Sequence, residues 1–427
     1  MTYEEVVEKI ENIRRFGNLA GAEITARMLE MLGNPQEDMR IIHIAGTNGK
    51  GSVSAFLCSI LKEAGLKVGV FTSPHLVDFR ERICINHEMI AKEDVCRIGE
   101  GLLAQNFGVY PTMFDYCLAM AVIYFKEQHC DAVILETGIG GRLDSTNAVG
   151  TPEISVITKI GYDHMTILGN TLEKIAREKA GIIKKGTHLV VESQEDTVLA
   201  VLDQTAKEAE ACSYQVVNPA EFGDCHYEEG MQSFSYGEYE QLKMQLLGVH
   251  QYENAAAAIL AAEAFLKKNE ADARNKARIR ECICRGIELA RWQGRMEVLR
   301  KEPFLMVDGA HNSNGVSALK NSLMTLFPGE KFHFIMGVMA DKDYEEMIEE
   351  LLPLAVDFTT ITVESERALQ AEDLAECIQK KGVKAECAKE LLALLAPEMG
   401  DSKAKTIAFG SLYFIGEIKS LQNLYKF

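Results

Sequence analysis

The residues best placed to do chemistry together are Gly46, Thr47, Asn48, Gly49, Lys50, Gly51 and Ser52, directly after the apolar run IIHIA and before SVSAFLCSILKEAG. Glycines let backbone N–H groups converge on one point, and the start of the following helix adds positive potential there, so phosphate oxygens are favoured. Lys50 would neutralise phosphate charge, and Ser52 would offer a hydroxyl to a phosphate or its metal. The run departs from the strict eight-residue phosphate loop: Ile44 stands where the first glycine belongs, and Gly51 separates Lys50 from Ser52. An ordinary glycine turn capping a helix is the plain alternative, but the strand–loop–helix context favours a nucleotide. A second apolar run, DAVILE, ends in Glu136, where a nucleotide site needs a magnesium ligand. The Gly138-Ile-Gly140 after it fails as a dinucleotide fingerprint, because Leu143 takes the third glycine's place. His164 follows another strand and Lys179 lies on the next helix; taken singly, they fit a structural histidine and a solvated helix face. No G-x-S-x-G elbow occurs, so hydrolysis by a serine nucleophile has no candidate.

These residues need strands to hold them. Short apolar runs alternate with amphipathic stretches, which predicts βαβ units and a mostly parallel sheet. Candidate strands are Arg40–Ala45, Lys67–Phe71, Ala132–Leu135, Ile154–Thr158 and His188–Val191. Several run into polar or glycine clusters (AGTNGKGS, TSPHL, ETGIGG, GYDH), as expected where strand ends form a ligand crevice. From about 203 to 247 the pattern weakens, and a small irregular β excursion is expected. An alanine-rich helix follows from near Asn254, with further helix to about Ala290. A second alternation then begins, with strands near Phe304–Val307, Lys331–Met336, Asp357–Val363 and Thr406–Phe409. The expected domains are 1–295, containing the excursion, and 296–427.

With 427 residues, 47% hydrophobic and 25% charged, the chain has the balance of a soluble globular protein too long for one core. Its net charge of −18 argues against nonspecific nucleic-acid binding, so an anionic ligand must meet a local concentration of positive charge. The eleven cysteines show neither C-x-x-C pairs nor zinc spacing and read as free thiols of a reducing compartment. The first residues, MTYEEVVEKI, do not have the layout of a secretory signal, and no run approaches the roughly 18 apolar residues of a membrane span. A cytoplasmic protein with no nucleic-acid or membrane partner is expected.

The ordered set IHIAGTNGKGS, FTSPHL, ETGIGGRLDSTN, ITKIGYDHMTILGNTLEKIAREKAGIIK, LGVHQYENAAAA, WQGRMEV, DGAHNSNG, ADKD and GSLYFIGE resembles the folylpolyglutamate synthase/dihydrofolate synthase branch of the Mur ligase superfamily. The likeness runs from about residue 33 to 416. It implies an α/β fold: a P-loop-containing N-terminal Mur-ligase-like ATPase domain and a smaller Rossmann-like C-terminal domain. It also implies roles. Gly49, Lys50, Gly51 and Ser52 hold the ATP phosphates, and Asn254, Arg295 and Asp308 contact ATP. Ser73, Glu136 and His164 match magnesium ligands. Lys179 matches a lysine that is carbamylated in many members, which turns a cation into a ligand for a second Mg²⁺. His311 lies near the phosphate or the incoming amino acid, and Leu143, Asp144 and Ser145 lie where the pteridine-bearing substrate approaches. Members are mostly monomers.

The departures from the family pattern bear on the acceptor. Where the family often reads T-x-F-E-x-x-T, this chain has Thr112, Met113, Phe114, Asp115, Tyr116, Cys117 and Leu118, which puts the hold on the pterin in question. Gln293 and Ser313 replace prolines and affect loop stiffness. The expected reaction activates a carboxylate with ATP as an acyl phosphate and captures it with the amine of L-glutamate. The acceptor is folate, with dihydropteroate as a second candidate. Lys50, Lys179 and His311 are the expected catalytic residues, and closure about a hinge near 291–297 is expected to complete the site. Two alternatives stay open. A ligase acting on a UDP-muramyl acceptor would carry a further N-terminal domain, for which a loop starting at Gly46 leaves no room. A regulatory ATP-binding module would have no use for Glu136, His164 and Lys179 together.

Overall fold

Runs of four or five apolar residues are too short for helices, and here they become buried strands. The structure is a computed structural model and describes residues 1–13, 20–228, 230–267, 273–395 and 404–425. It divides into two units. The first holds Met1–His226, Ser233–Met244 and Tyr252–Arg291; the second holds Tyr227–Gln232, Gln245–Gln251 and Trp292–Phe427.

The first unit is built on β1 (Ile41–Ala45), β2 (Val68–Phe71), β3 (Ile83–Ile85), β4 (Glu88–Met89), β5 (Ala132–Glu136), β6 (Ile154–Ile157), β7 (His188–Val191) and β8 (Ser213–Val216). Their order is β4-β3-β2-β5-β1-β6-β7-β8. β2, β5, β1, β6, β7 and β8 run parallel, and β3 and β4 add an antiparallel edge. Every residue of β1, β2, β5 and β6 is buried, as a parallel sheet covered on both faces requires. One core joins Ile41, Phe71, Val133 and Leu135 to the helices Tyr3–Glu11, Gly21–Met31, Lys92–Leu103 and Met113–Glu127. Another joins Ala45, Ile157, Leu189 and Val191 to Leu172–Lys179 and Asp196–Glu208. The helix Lys50–Glu63 is buried continuously from Ser52 to Leu61, a run of apolar residues and three small serines with no charge on any side.

The stretch 203–247 is more regular than its weak pattern suggested. Asp196–Glu208 is a helix with Val198, Leu202 and Ala206 buried at helical spacing, and β8 is the edge of the main sheet. Only β9 (Phe222–Glu228), β10 (Met231–Tyr236) and β11 (Tyr239–Met244) form a separate sheet. In β10 the buried residues Gln232, Phe234 and Tyr236 alternate, but one is polar, which blurs the hydrophobic period. The alanine-rich helix spans His250–Leu266, and Ala273–Leu289 follows.

The second unit carries β12 (Glu297–Arg300), β13 (Leu305–Asp308), β14 (Phe332–Met336), β15 (Ala355–Thr360), β16 (Ala385–Cys387) and β17 (Lys405–Phe409), ordered β12-β13-β17-β14-β15-β16. All but β12 are parallel. Successive residues of β13 feed different cores: Met306 joins Phe334, Phe358 and Phe409, whereas Leu305 and Val307 join Ile335 and Ala408. Such a two-period means that both faces of the sheet are covered. Among the described residues no helix is long and apolar enough to cross a membrane. All eleven cysteines are free thiols.

Candidate active site

The strand order of the first unit brings the carboxyl ends of β2, β5, β1 and β6 side by side, and each carries one of the polar segments. Register sets Ile44 opposite Glu136 and Ala45 opposite Ile157. Leaving β1, the chain makes its turn against the end of β6. Thr47 and Asn48 donate their N–H groups to the Lys159 carbonyl at 2.9 and 3.3 Å, and Thr158 Oγ1 donates to the Asn48 carbonyl at 2.7 Å. Gly46 lies so close to Thr158 that a Cβ would fall 1.7 Å from its Oγ1. Gly49 has φ +92°, which an L side chain rarely adopts, and any Cβ there would meet Asn254 Oδ1 at 2.4 Å. The N–H groups of Lys50, Gly51 and Ser52 precede the first helical bond, made by Val53 to Gly49, in the turn where a helix offers donors to an anion.

Two amines meet at this turn. Lys50 Nζ donates to the carbonyls of Gly46 and Thr47 at 3.2 Å each and lies 3.9 Å from Glu136 Oε1. Lys179 Nζ donates to the Gly46 carbonyl at 2.7 Å. Lys179 is buried, although its helix reads as charged. Burial, reinforced by the Lys50 charge, pushes its amine down to about 7. Glu136, also buried, accepts the Ser73 N–H at 3.4 Å through Oε2, which places the Ser73 residue beside the carboxylate. His164 is exposed, with φ +50°, and begins the short helix Met165–Leu168. Among the described residues no cluster of three or more His, Cys, Asp or Glu could hold a metal by itself. One buried carboxylate beside a serine suits Mg²⁺, which takes few protein oxygens and completes its shell with phosphates and water.

The acceptor-side residues behave differently from one another. Leu143 is exposed. Asp144 turns inward: its carboxylate takes the N–H groups of Gly138, Ile139 and Thr146 and the Thr146 hydroxyl, and burial raises its pKa despite those donors. Thr146 also meets Nε2 of the buried His43 at 2.8 Å. Ser145 donates to Asp115 Oδ1 at 2.6 Å. Asp115 is fully buried and further accepts the Thr25 hydroxyl and both the N–H and hydroxyl of Thr112. It thus closes the capping box of Met113–Glu127 and ties that helix to Thr25 and Ser145.

In the second unit, Asp308 ends β13, buried, with Oδ2 accepting the Met296 N–H and Oδ1 the Ala310 N–H, each at 2.8 Å. Burial raises its pKa while the nearby Arg295 charge opposes the rise. Arg295 is half-buried against Gly309, where a Cβ would meet its Nη1 at 2.4 Å. His311 Nδ1 lies 2.8 Å from the Gly309 carbonyl. Lys50, Glu136, Ser73 and Lys179 thus gather around the turn after β1, Asn254 packs on Gly49, and Arg295, Asp308 and His311 form their own group around Gly309. The sequence did not single out Thr158. A threonine closing a strand carries no signal of type, and only its approach to Gly46 reveals its part. Asp115 left a usable trace in the T-x-x-D spacing of a capping box.

Residues 44–262 match the Mur ligase middle domain, and residues 294–406 match the Mur ligase glutamate ligase domain. The dihydrofolate synthase/folylpolyglutamate synthase of Bacillus subtilis is 37% identical, over 98% of both chains. The folylpolyglutamate synthase of Lacticaseibacillus casei is 34% identical, over 82% of this chain and 83% of its own. Among solved structures, the Mycobacterium tuberculosis folylpolyglutamate synthase complexed with ADP superposes with a TM-score of 0.85 at 27% identity, covering 98% of each chain. With both domains matched in order and the likeness spanning nearly its whole length, the chain belongs to the Mur ligase family, in its folylpolyglutamate synthase/dihydrofolate synthase branch.

Proposed function

We propose that this is a cytoplasmic, monomeric ATP-dependent ligase that adds L-glutamate to the glutamyl carboxylate of reduced folate, with dihydropteroate as a second acceptor giving dihydrofolate. The observation that carries this reading is the meeting of Lys50, Lys179 and Glu136 at a glycine turn whose helix begins with Gly51 and Ser52. A turn with two amines and one carboxylate suits a polyphosphate with its metal, and the full-length likeness to folate ligases supplies the acceptor class.

A carboxylate does not react with an amine at neutral pH, because oxide is a poor leaving group. Transfer of the ATP γ-phosphoryl to the acceptor carboxylate makes a mixed anhydride. The glutamate amine then attacks its carbonyl, and the tetrahedral intermediate expels phosphate and leaves an amide. Lys50 and the first-turn N–H groups orient the phosphates and offset their charge. Glu136, Ser73 and His164 are assigned to Mg²⁺, which when bound neutralises phosphate charge. Asn254, Arg295 and Asp308 are assigned to ATP, and His311 to the phosphate or the incoming glutamate. Leu143 is assigned to the acceptor's contact surface, with Asp144 and Ser145 shaping the turn beneath it. Folate ranks above dihydropteroate because Asp115, where the family often has Glu, is committed to Thr25, Thr112 and Ser145.

Lys179 is assigned to carbamylation. Its neutral amine adds to CO₂, a C–N bond forms, a proton leaves, and the product is an anion able to serve a second Mg²⁺. Burial of the amine supports this, since bringing its pKa down to about 7 leaves a large share of it neutral near pH 7. The test is phosphate release with tetrahydrofolate, dihydropteroate and a UDP-muramyl acceptor, each with and without glutamate and bicarbonate. Release that needs both folate and glutamate is expected, and at low pH added bicarbonate should raise it. Release that needs no acceptor would point to a regulatory module instead. An unmodified lysine by mass, with no response to bicarbonate, would remove the carbamate.

A further inference from the structure

Arg82 ends the single helical turn Phe79–Arg82, and its carbonyl takes the Thr72 N–H at 3.1 Å, so its backbone is pinned beside the Thr72–Ser73 step. It is only 6% exposed, an unusual place for a guanidinium without an anion. Its Nε donates to His75 Nδ1 at 2.9 Å. Among the described residues its two terminal nitrogens have no hydrogen-bond partner and no ion-pairing carboxylate, yet they are not sealed from solvent.

The acids nearby are engaged elsewhere. Glu81 accepts the N–H groups of Leu76, Val77 and Asp78. Asp78 pairs with Arg80 at 2.7 Å. Asp115 is held by Thr25, Thr112 and Ser145. Glu11 lies 3.7 Å from the far side of the imidazole, at His75 Nε2; the Arg82 charge acts on it, opposing the rise in pKa that burial causes, but the two form no ion pair. A planar fork fixed along one edge by a histidine, with its other donors unclaimed, has the geometry that receives a carboxylate. In a chain of net charge −18, such a cation is also a local attractor for an anionic acceptor.

We infer that Arg82, aligned by His75, grips the α-carboxylate of the acceptor's terminal glutamyl unit while the other carboxylate is activated beside Ser73 and Glu136. The inference rests on the folate-ligase reading and adds to it a reason why a dicarboxylate end is selected. Ser73 and His75 are two residues apart, at most about 7 Å along the chain, a span compatible with gripping the two carboxylates of one glutamyl. His75 acts as a positioning residue, since it holds the guanidinium and need not touch the substrate.

The experiment compares tetrahydrofolate with its α-amide as acceptors, in the full-length protein and in Arg82→Gln and Arg82→Lys. In the parent enzyme the amide should raise acceptor KM about tenfold or more, the scale of losing a charge-assisted pair. Arg82→Gln should raise KM for the acid by a similar factor and no longer distinguish acid from amide. Arg82→Lys, keeping the charge without the fork, should fall between. KM for ATP should move less than about twofold on the same scale. Because acid and amide are compared within one protein, partial misfolding of a variant cannot mimic the result. A parent enzyme indifferent to the amide, or an Arg82→Gln that still prefers the acid by the parental factor, overturns the assignment of Arg82 alone. A parent that ligates glutamate to neither acceptor removes the folate reading, and this one with it.

Discussion

Burying a carboxyl group is cheaper when it keeps its proton, and Glu192 illustrates the consequence. It follows β7, 2% exposed, with Oε2 accepting the Lys159 N–H at 2.7 Å and Oε1 sealed without a partner. Burial, aided by the charge of Glu253 and opposed by Lys159, pushes its pKa up to about 8. In the unfolded chain a glutamate titrates at about 4.3. Between those values the folded protein holds a proton that the unfolded chain has lost, so this contribution is full at low pH and fades as pH rises toward 8. Glu192→Gln keeps the acceptor for Lys159 and removes the ionisation. Urea denaturation at pH 6 and pH 8 should therefore show the parent losing up to about 1.4 kcal/mol per pH unit relative to the variant. Parallel pH profiles for the two proteins would contradict this. Lys179 shows the limit of reading residues one at a time. Set among Glu173, Glu178 and Lys184 it reads as part of a solvated helix face, yet its amine is buried against Gly46.

At the scale of elements, the loop after β1 owes its shape to the end of β6. Lys159 receives the Thr47 and Asn48 N–H groups, and Thr158 reaches the Asn48 carbonyl while filling the space over Gly46. A methyl group at residue 46 cannot be accommodated without moving Thr158, because the clash involves its Cβ at 2.9 Å as well as its Oγ1. Gly46→Ala should therefore cost about 1–3 kcal/mol by overpacking and weaken ATP binding by displacing the turn. Denaturant melts and nucleotide titration check this; unchanged values in both would mean that the loop is not shaped by this contact. The strands themselves were legible as short apolar runs ending in polar clusters. The excursion after residue 203 was legible as β but not in its regularity, because β8 is a half-buried edge strand and β10 buries a glutamine where a period-two reading expects an apolar residue.

Of the residues assigned to turnover, Arg295, Asp308 and His311 belong to the second unit. Arg295→Ala alters only the second unit, where Asp308 keeps both of its backbone donors. Turnover should fall about a hundredfold or more, the usual cost of removing a charge-stabilising donor, while the melting temperature stays nearly unchanged. A fully active variant would refute the role given to Arg295. By itself the sequence determined the strand–helix alternation, the glycine–lysine turn, the carboxylate closing DAVILE and the kinship carried by GYDH…KAGIIK and DGAHN. These are patterns of neighbouring residues, and short-range sterics and periodicity set them. Only the tertiary structure decided that Lys179 is buried on Gly46, that Thr158 supports the turn, that Asp115 is fully engaged and that Arg82 has no ion-pairing carboxylate among the described residues. Each of those facts depends on which distant segments come to rest against a side chain, and no local pattern encodes that.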